Sequence, residues 1–144
     1  MAIRAFFDVN VFLDFFLQRN PENSKLNEVF TLIDKKEIEG FTTISILLTC
    51  IYYLNQAKGQ EITKKILEMI LDNFELLEGD RMHIIQAIQS NQKDLEDAIH
   101  YFIALDKQMD CIITSDKYLL KLDSPTLQIL SPEIFISRYT ASLD

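Results

Sequence analysis

The sequence predicts an α/β fold: a mostly parallel sheet of four to five strands, covered by helices on both faces. Two observations carry this. Short, mostly apolar runs recur at residues 3–7, 41–44, 74–77, 111–114 and 126–130, as expected of strands buried on both sides. Between successive runs stand one or two stretches with apolar residues at helical spacing. Strand–helix alternation of this kind folds into parallel crossover units.

Taken in order, Ile3-Arg4-Ala5-Phe6-Phe7 reads as a buried first strand ended by Asp8. Val9, Phe12, Leu13, Phe16 and Leu17 then fall at helical spacing over 9–18. Asn20-Pro21-Glu22-Asn23-Ser24 is a turn signal, with Ser24 placed to cap the next helix. That helix carries Leu26, Val29, Phe30, Ile33 and Ile38, and Gly40 is expected to close it. Residues 41–44 form a short strand. Ser45 opens a helix through about Ala57, ended by Lys58-Gly59. Residues 60–72 form another, with Ile62, Ile66, Leu67, Ile70 and Leu71 on one face. Phe74-Glu75-Leu76-Leu77 is a strand, residues 81–90 a helix and Asn91-Gln92-Lys93 a connector. A helix over 94–107 precedes the strand at 111–114, and a strand at 126–130 follows. Pro132 suits the first turn of a last helix over 133–139.

A chain of 144 residues corresponds to a single domain over 1–144, long enough to bury a core without disulfides. Apolar residues at 48% and charged residues at 25% fit a globular protein. The longest apolar stretch, Ile44 to Leu54, is too short to span a bilayer, and no signal-peptide pattern opens the chain. Cys50 and Cys111 sit in apolar contexts with no metal-ligand spacing. Together these features predict a cytoplasmic protein with reduced thiols. A net charge of −8 excludes a protein that coats nucleic acid non-specifically. It predicts weak binding of a polyanion, or a need for a metal ion or a basic partner. Lys35-Lys36 and Lys64-Lys65 read as solvated helix faces.

The placement of the acids is the functional signal. Asp8 ends the first strand, and Asp116 follows the run Cys111-Ile112-Ile113-Thr114. Asp94 and Asp97 open the helix just before that run. If the two strands are neighbours, three segments deliver carboxylates to one sheet edge. Carboxylates crowded together repel unless a cation sits among them. Open parallel sheets bind ligands beyond the carboxyl ends of their strands, where strand order reverses. The pattern therefore predicts a site for Mg²⁺ or Mn²⁺ and hydrolysis of a phosphate backbone.

Each acid also has a local reading. Asp8 and Asp116 suit helix N-caps, and Asp94 with Asp97 suits a capping pair favoured by the helix dipole. Asn10 either orients a water or serves the turn. Leu95, Ala98, Ile99 and Phe102 are expected to form the buried stripe of that helix, leaving Glu96 to pair with His100 four residues on. Lys117 reads as solvent-facing, with contact to a phosphate as the alternative. Tyr52-Tyr53 and the Phe12-Phe15-Phe16 cluster read as core, with an interface as the alternative.

Four ordered segments resemble the PIN-domain nucleases, the family that includes VapC-type toxins of toxin–antitoxin pairs. They are Phe6-Phe7-Asp8-Val9-Asn10-Val11-Phe12-Leu13-Asp14, Ile44-Ser45 through Leu54, Asp94-Leu95-Glu96-Asp97-Ala98-Ile99-His100-Tyr101 and Ile112-Ile113-Thr114-Ser115-Asp116. The closing Ile129-Leu130-Ser131-Pro132-Glu133-Ile134-Phe135 is similar to the family's last strand and helix. The resemblance implies a three-layer α/β/α sandwich and a Mg²⁺- or Mn²⁺-dependent endoribonuclease acting on single-stranded RNA. It implies Asp8, Asp97 and Asp116 as metal-site carboxylates, Asp94 as an auxiliary acid, and Asn10 and Thr114 as polar support. A protein antitoxin and a homodimer are the implied partners. Such an enzyme would cut to leave a 5′-phosphate and a 3′-hydroxyl, with Asp97 or Asp94 taking the water's proton.

One position departs from the pattern. Many family members carry Glu, and some Asn, where Cys50 stands here, with Thr49 the alternative match. A thiol is a poor ligand for a hard cation. A weakened, PIN-like binding or regulatory module is therefore the rival reading. Phosphotransferase folds that begin with a strand and an Asp need a second acid where Asn10 stands, or an acid order this chain lacks.

Overall fold

A computed structural model describes residues 2–19 and 24–143. Five strands form one all-parallel sheet: β1 (Arg4–Phe7), β2 (Glu39–Thr43), β3 (Phe74–Leu77), β4 (Cys111–Ile113) and β5 (Gln128–Leu130). The helices among the described residues are α1 (Val9–Phe16), α2 (Ser24–Asp34), α3 (Ile44–Lys58), α4 (Gln60–Asn73), α5 (Arg81–Gln89), α6 (Leu95–Asp106), the short α7 (Lys117–Leu120) and α8 (Pro132–Ser142). The turn expected over Asn20-Pro21-Glu22-Asn23 and the capping side chain of Ser24 lie outside the described residues.

Strand order is β3-β2-β1-β4-β5. The chain builds outward from β1 to β3, then crosses to the other side of β1 to lay down β4 and β5. Phe7 is in register with Ile113, and the Asp8 amide donates to the Ile113 carbonyl at 3.1 Å. The strands that precede Asp8 and Asp116 are therefore neighbours, and the reversal of strand order falls between them.

Ala5, Phe6 and Phe7 are all fully buried. Successive strand residues point to opposite faces, so both faces of β1 are covered, giving an α/β/α sandwich. Phe6 faces His100 of α6, with ring centroids 6.0 Å apart. Phe7 faces the other layer, where Phe12, Phe30 and Phe74 surround it at 5.8, 5.5 and 4.9 Å. Both cysteines are free and buried, and no described helix is long and apolar enough to cross a membrane.

Several local expectations are corrected. Gly40 does not close a helix: α2 ends at Asp34 and Gly40 lies inside β2, opposite Phe74. A Cβ there would stand 2.6 Å from the Phe74 ring and 2.8 Å from Ile33, so close packing, not a turn, requires glycine. Ile38 is buried but precedes β2 as loop. The helix α3 begins at Ile44, capped by Thr43, whose hydroxyl accepts from the Ile46 amide at 3.2 Å. On α4 the buried stripe is Thr63, Ile66 and Ile70, while Ile62 and Leu71 face solvent. On α6 it is Ala98, His100, Ile103 and Ala104, and Leu95 is exposed. Tyr52 and Tyr53 are also exposed, whereas Phe12 belongs to the core.

The helices α5 and α6 are joined by His83, which is 2% exposed. Its Nδ1 accepts from the Asp80 amide at 3.0 Å, so its Nε2–H donates to Asp106, also at 3.0 Å. Removing it leaves the part-buried Asp80 amide without its acceptor and opens a void between the two helices. We expect His83→Ala to lower stability by about 1–3 kcal/mol, read as a lower urea midpoint at unchanged slope.

Candidate active site

The carboxyl ends of β1 and β4 open onto a cavity of about 320 Å³. Asp8, Asp94, Glu96, Asp97 and Asp116 line it, with Asn10, Thr49, Tyr53 and Arg19. All four acids singled out in the sequence thus reach one cavity, delivered by three separate segments.

Asp8 is 3% exposed. It stands at the N-cap position of α1 but makes no capping bond. Its Oδ2 instead accepts a 2.8 Å hydrogen bond from the Thr114 hydroxyl. That same hydroxyl oxygen accepts from the Asp116 amide at 3.0 Å. Thr114, fully buried on the end of β4, therefore ties the Asp8 carboxylate to the backbone of Asp116. Burial raises the Asp8 pKa above the usual carboxylate value, the Thr114 bond opposes this, and the charges of Asp116 and Asp94 add to the rise.

For Asp94 and Asp116 the local capping readings are realised. Asp94 Oδ1 accepts from the Asp97 amide at 3.0 Å. Asp116 Oδ1 accepts from the Tyr118 and Leu119 amides at 2.7 and 3.2 Å. Each cap engages one carboxylate oxygen. Such caps position the acids at the cavity rim, because the turns that end β4 and begin α6 are built on them.

Asp97 differs from the others. Its Oδ2 is buried and has no hydrogen-bond partner among the described residues. Burial, then the charges of Asp8, Asp94, Asp116 and Glu96, push its carboxyl up to about 7. An orphaned buried carboxylate oxygen facing like charges is an unfavourable arrangement that a cation would relieve. The donor set is all oxygen, as hard divalent ions prefer. In the geometry described, no three acidic, cysteine or histidine side chains among the described residues stand close enough to share one ion.

Cys50 is fully buried in the core, its thiol pushed up to about 12 by burial and then by the charge of Asp8. It lies near the site without lining it. Thr49, the alternative match, lines the cavity. Lys117 is exposed and does not line it. The expected Glu96–His100 pairing is replaced: His100 Nε2 meets the Ser45 hydroxyl at 2.9 Å, and Glu96 borders the acid cavity. Burial lowers the His100 pKa despite the nearby Glu96 and Asp94.

Besides the apolar Val9 and Leu13, three lining residues were not anticipated in this role. Glu96 adjoins Asp97 and needed only a helix rotated from the expected stripe. Tyr53 lies one turn beyond Thr49 on α3, a spacing visible in the sequence. Arg19 could not be read, because it follows Gln18, whose φ of 51° turns the chain at the end of α1.

A family model described as PIN domain matches residues 4–118. The chain is 23% identical over 141 residues to Ribonuclease VapC1 of Aquifex aeolicus, covering 94% of this chain and 95% of that protein. Among solved structures, a chain from the toxin–antitoxin complex of Klebsiella pneumoniae matches with a TM-score of 0.65 at 16% identity, over 89% of this chain and 97% of that one. A chain from VapBC2 of Rickettsia felis bound to a promoter DNA fragment matches with a TM-score of 0.64 at 12% identity, over 88% and 97%. The fold is shared with both, and since the family match takes in every acid of the cavity, this chain belongs to the PIN domain family.

Proposed function

We propose that the protein is a VapC-like endoribonuclease, hydrolysing phosphodiester bonds in single-stranded RNA with Mg²⁺ or Mn²⁺. The observation that carries this is Asp97 Oδ2, buried and without a hydrogen-bond partner among the described residues, in a cavity lined by four other acids. Asp8, Asp97 and Asp116 would hold the ion by drawing closer together than they stand here, with Asp94 at the rim. When bound, the ion would acidify a water and draw charge from the scissile phosphate. The chain's own residues do the rest. Thr114 holds Asp8 and the Asp116 turn in one register. Asp97 or Asp94 would receive the water's proton, and Asn10, which also lines the cavity, would orient that water.

The solved neighbours from toxin–antitoxin complexes support a protein antitoxin as partner. The exposed residues Ile44, Leu48 and Tyr52, four apart on α3, support pairing of two copies. Two separate buried thiols suit the cytoplasm. The rival binding-module reading rested on Cys50 and on the acidic net charge; the first of these is weakened because Thr49, not Cys50, borders the cavity.

The test is Asp8→Asn. We expect it to abolish Mn²⁺ binding by calorimetry and cleavage of single-stranded RNA by gel assay. Unchanged Mn²⁺ binding would refute the assignment of Asp8. Cleavage by neither protein would favour the binding module.

A further inference from the structure

Among the residues lining the acid cavity, Arg19 is the only cation. A guanidinium beside carboxylates ordinarily pairs with one, often through two parallel bonds. Here no carboxylate among the described residues comes within ion-pair reach of it. Its Cζ stands instead 5.8 Å from the centre of the Tyr53 ring. The Arg19 amide donates to the Asp14 carbonyl at 3.1 Å, which fixes its backbone against α1. Tyr53 is 42% exposed and meets the Tyr52 ring edge-on at 5.2 Å.

We propose that Arg19 and Tyr53 form a nucleotide clamp at the rim of the acid cavity. The guanidinium takes a phosphate next to the scissile one, and a base of the single-stranded RNA stacks on the Arg19–Tyr53 layer. This rests on the nuclease reading of the same cavity. Aromatic and guanidinium planes are the surfaces on which unpaired bases stack, with little regard to sequence. An arginine without an ion pair among the described residues also answers an electrostatic need. The chain carries −8 overall, and the cavity is otherwise acidic, so the polyanion requires a fixed positive contact beside the reaction centre. Lys117 does not supply it, being outside the cavity.

The experiment is steady-state cleavage of a randomised single-stranded RNA pool with Mn²⁺, comparing the parent protein with Arg19→Ala, Arg19→Lys, Tyr53→Ala and Tyr53→Phe. Circular dichroism checks that each variant is folded. Arg19→Ala and Tyr53→Ala are each expected to raise KM about 10-fold with kcat within about 3-fold of the parent. Tyr53→Phe should keep the parent KM, because stacking survives, and Arg19→Lys should recover part of the loss. The dependence of log KM on log salt should flatten by about 0.7 in Arg19→Ala, as for one lost phosphate contact on a single strand. Parent-like KM in both alanine variants would overturn the clamp while leaving the nuclease reading intact. Tighter Mn²⁺ binding by Arg19→Ala in calorimetry, with KM unchanged, would instead make Arg19 a charge that offsets the acids. No cleavage by the folded parent would sink the nuclease reading and the clamp with it.

Discussion

Asp97→Asn is expected to reduce kcat for RNA cleavage by at least about 100-fold, the range associated with a lost acid–base group, while stabilising the metal-free protein. Both effects come from the same carboxylate, the second from its state without metal. Burial and four neighbouring acids push the Asp97 carboxyl up to about 7, whereas in the unfolded chain it returns to the model-peptide value of 3.8. The folded state therefore holds the proton more tightly. The stability this group contributes is fully present below about pH 4 and is lost as pH rises through about 7. Without divalent ions, the parent should melt lower at pH 8 than at pH 5.5, and Asp97→Asn should narrow that gap. Because the side chain is only partly buried, solvent screens much of the repulsion, and the gain at pH 8 is about 1 kcal/mol, or a few degrees in Tm. Mg²⁺ should raise the Tm of the parent more than that of the variant. Mn²⁺ affinity of the parent should climb with pH through about 7, since ion and proton compete for Asp97. Equal melting of parent and variant at pH 8 would show that the carboxyl is not repelled as described.

The second large effect concerns packing. Phe7→Ala is expected to lower stability by about 3–5 kcal/mol, measured by urea unfolding. Phe7 is fully buried, and its ring meets Phe12, Phe30 and Phe74, which come from α1, α2 and β3. Deleting it opens a void where three elements converge. Phe7 also directly precedes Asp8, so any slackness there reaches the carboxylate. We expect the surviving folded fraction to cleave RNA more slowly than its population alone accounts for. Phe7→Leu keeps most of the volume and should lose less than about 1.5 kcal/mol. A Phe7→Ala midpoint close to that of the parent would show that the aromatic cluster can collapse around the gap.

Much of this architecture is legible in the residues because burial on both faces leaves a simple trace. The runs before Asp8 and Asp116 are strands, and the acids are where a parallel sheet presents ligands. What a single chain does not display is which strands lie side by side. The adjacency of β1 and β4 is written in cross-strand pairs such as Phe7 with Ile113, and these lie far apart in sequence. Glycine was ambiguous for a related reason. Gly40 looks like a helix terminator until Phe74 is known to press against it. The facing of α6 was misread because a buried histidine, His100, takes an inner position that an apolar stripe would not assign to it. The capping bonds of Asp94 and Asp116 were foreseen as alternatives to a site. In the structure they coexist with it, since a cap uses one oxygen and leaves the carboxylate at the rim.

Asp8 and Asp116 hang from β1 and β4, and each of those strands has a hydrogen-bonded neighbour on both sides. Sheets fray from their margins inward, so β3 and β5 will exchange their amide protons first and the ladder between β1 and β4 last. The reacting groups are thereby rooted in the most slowly opening part of the molecule. Breathing at either margin, on warming or when another protein pries at an outer strand, leaves their spacing undisturbed until the whole sheet gives way.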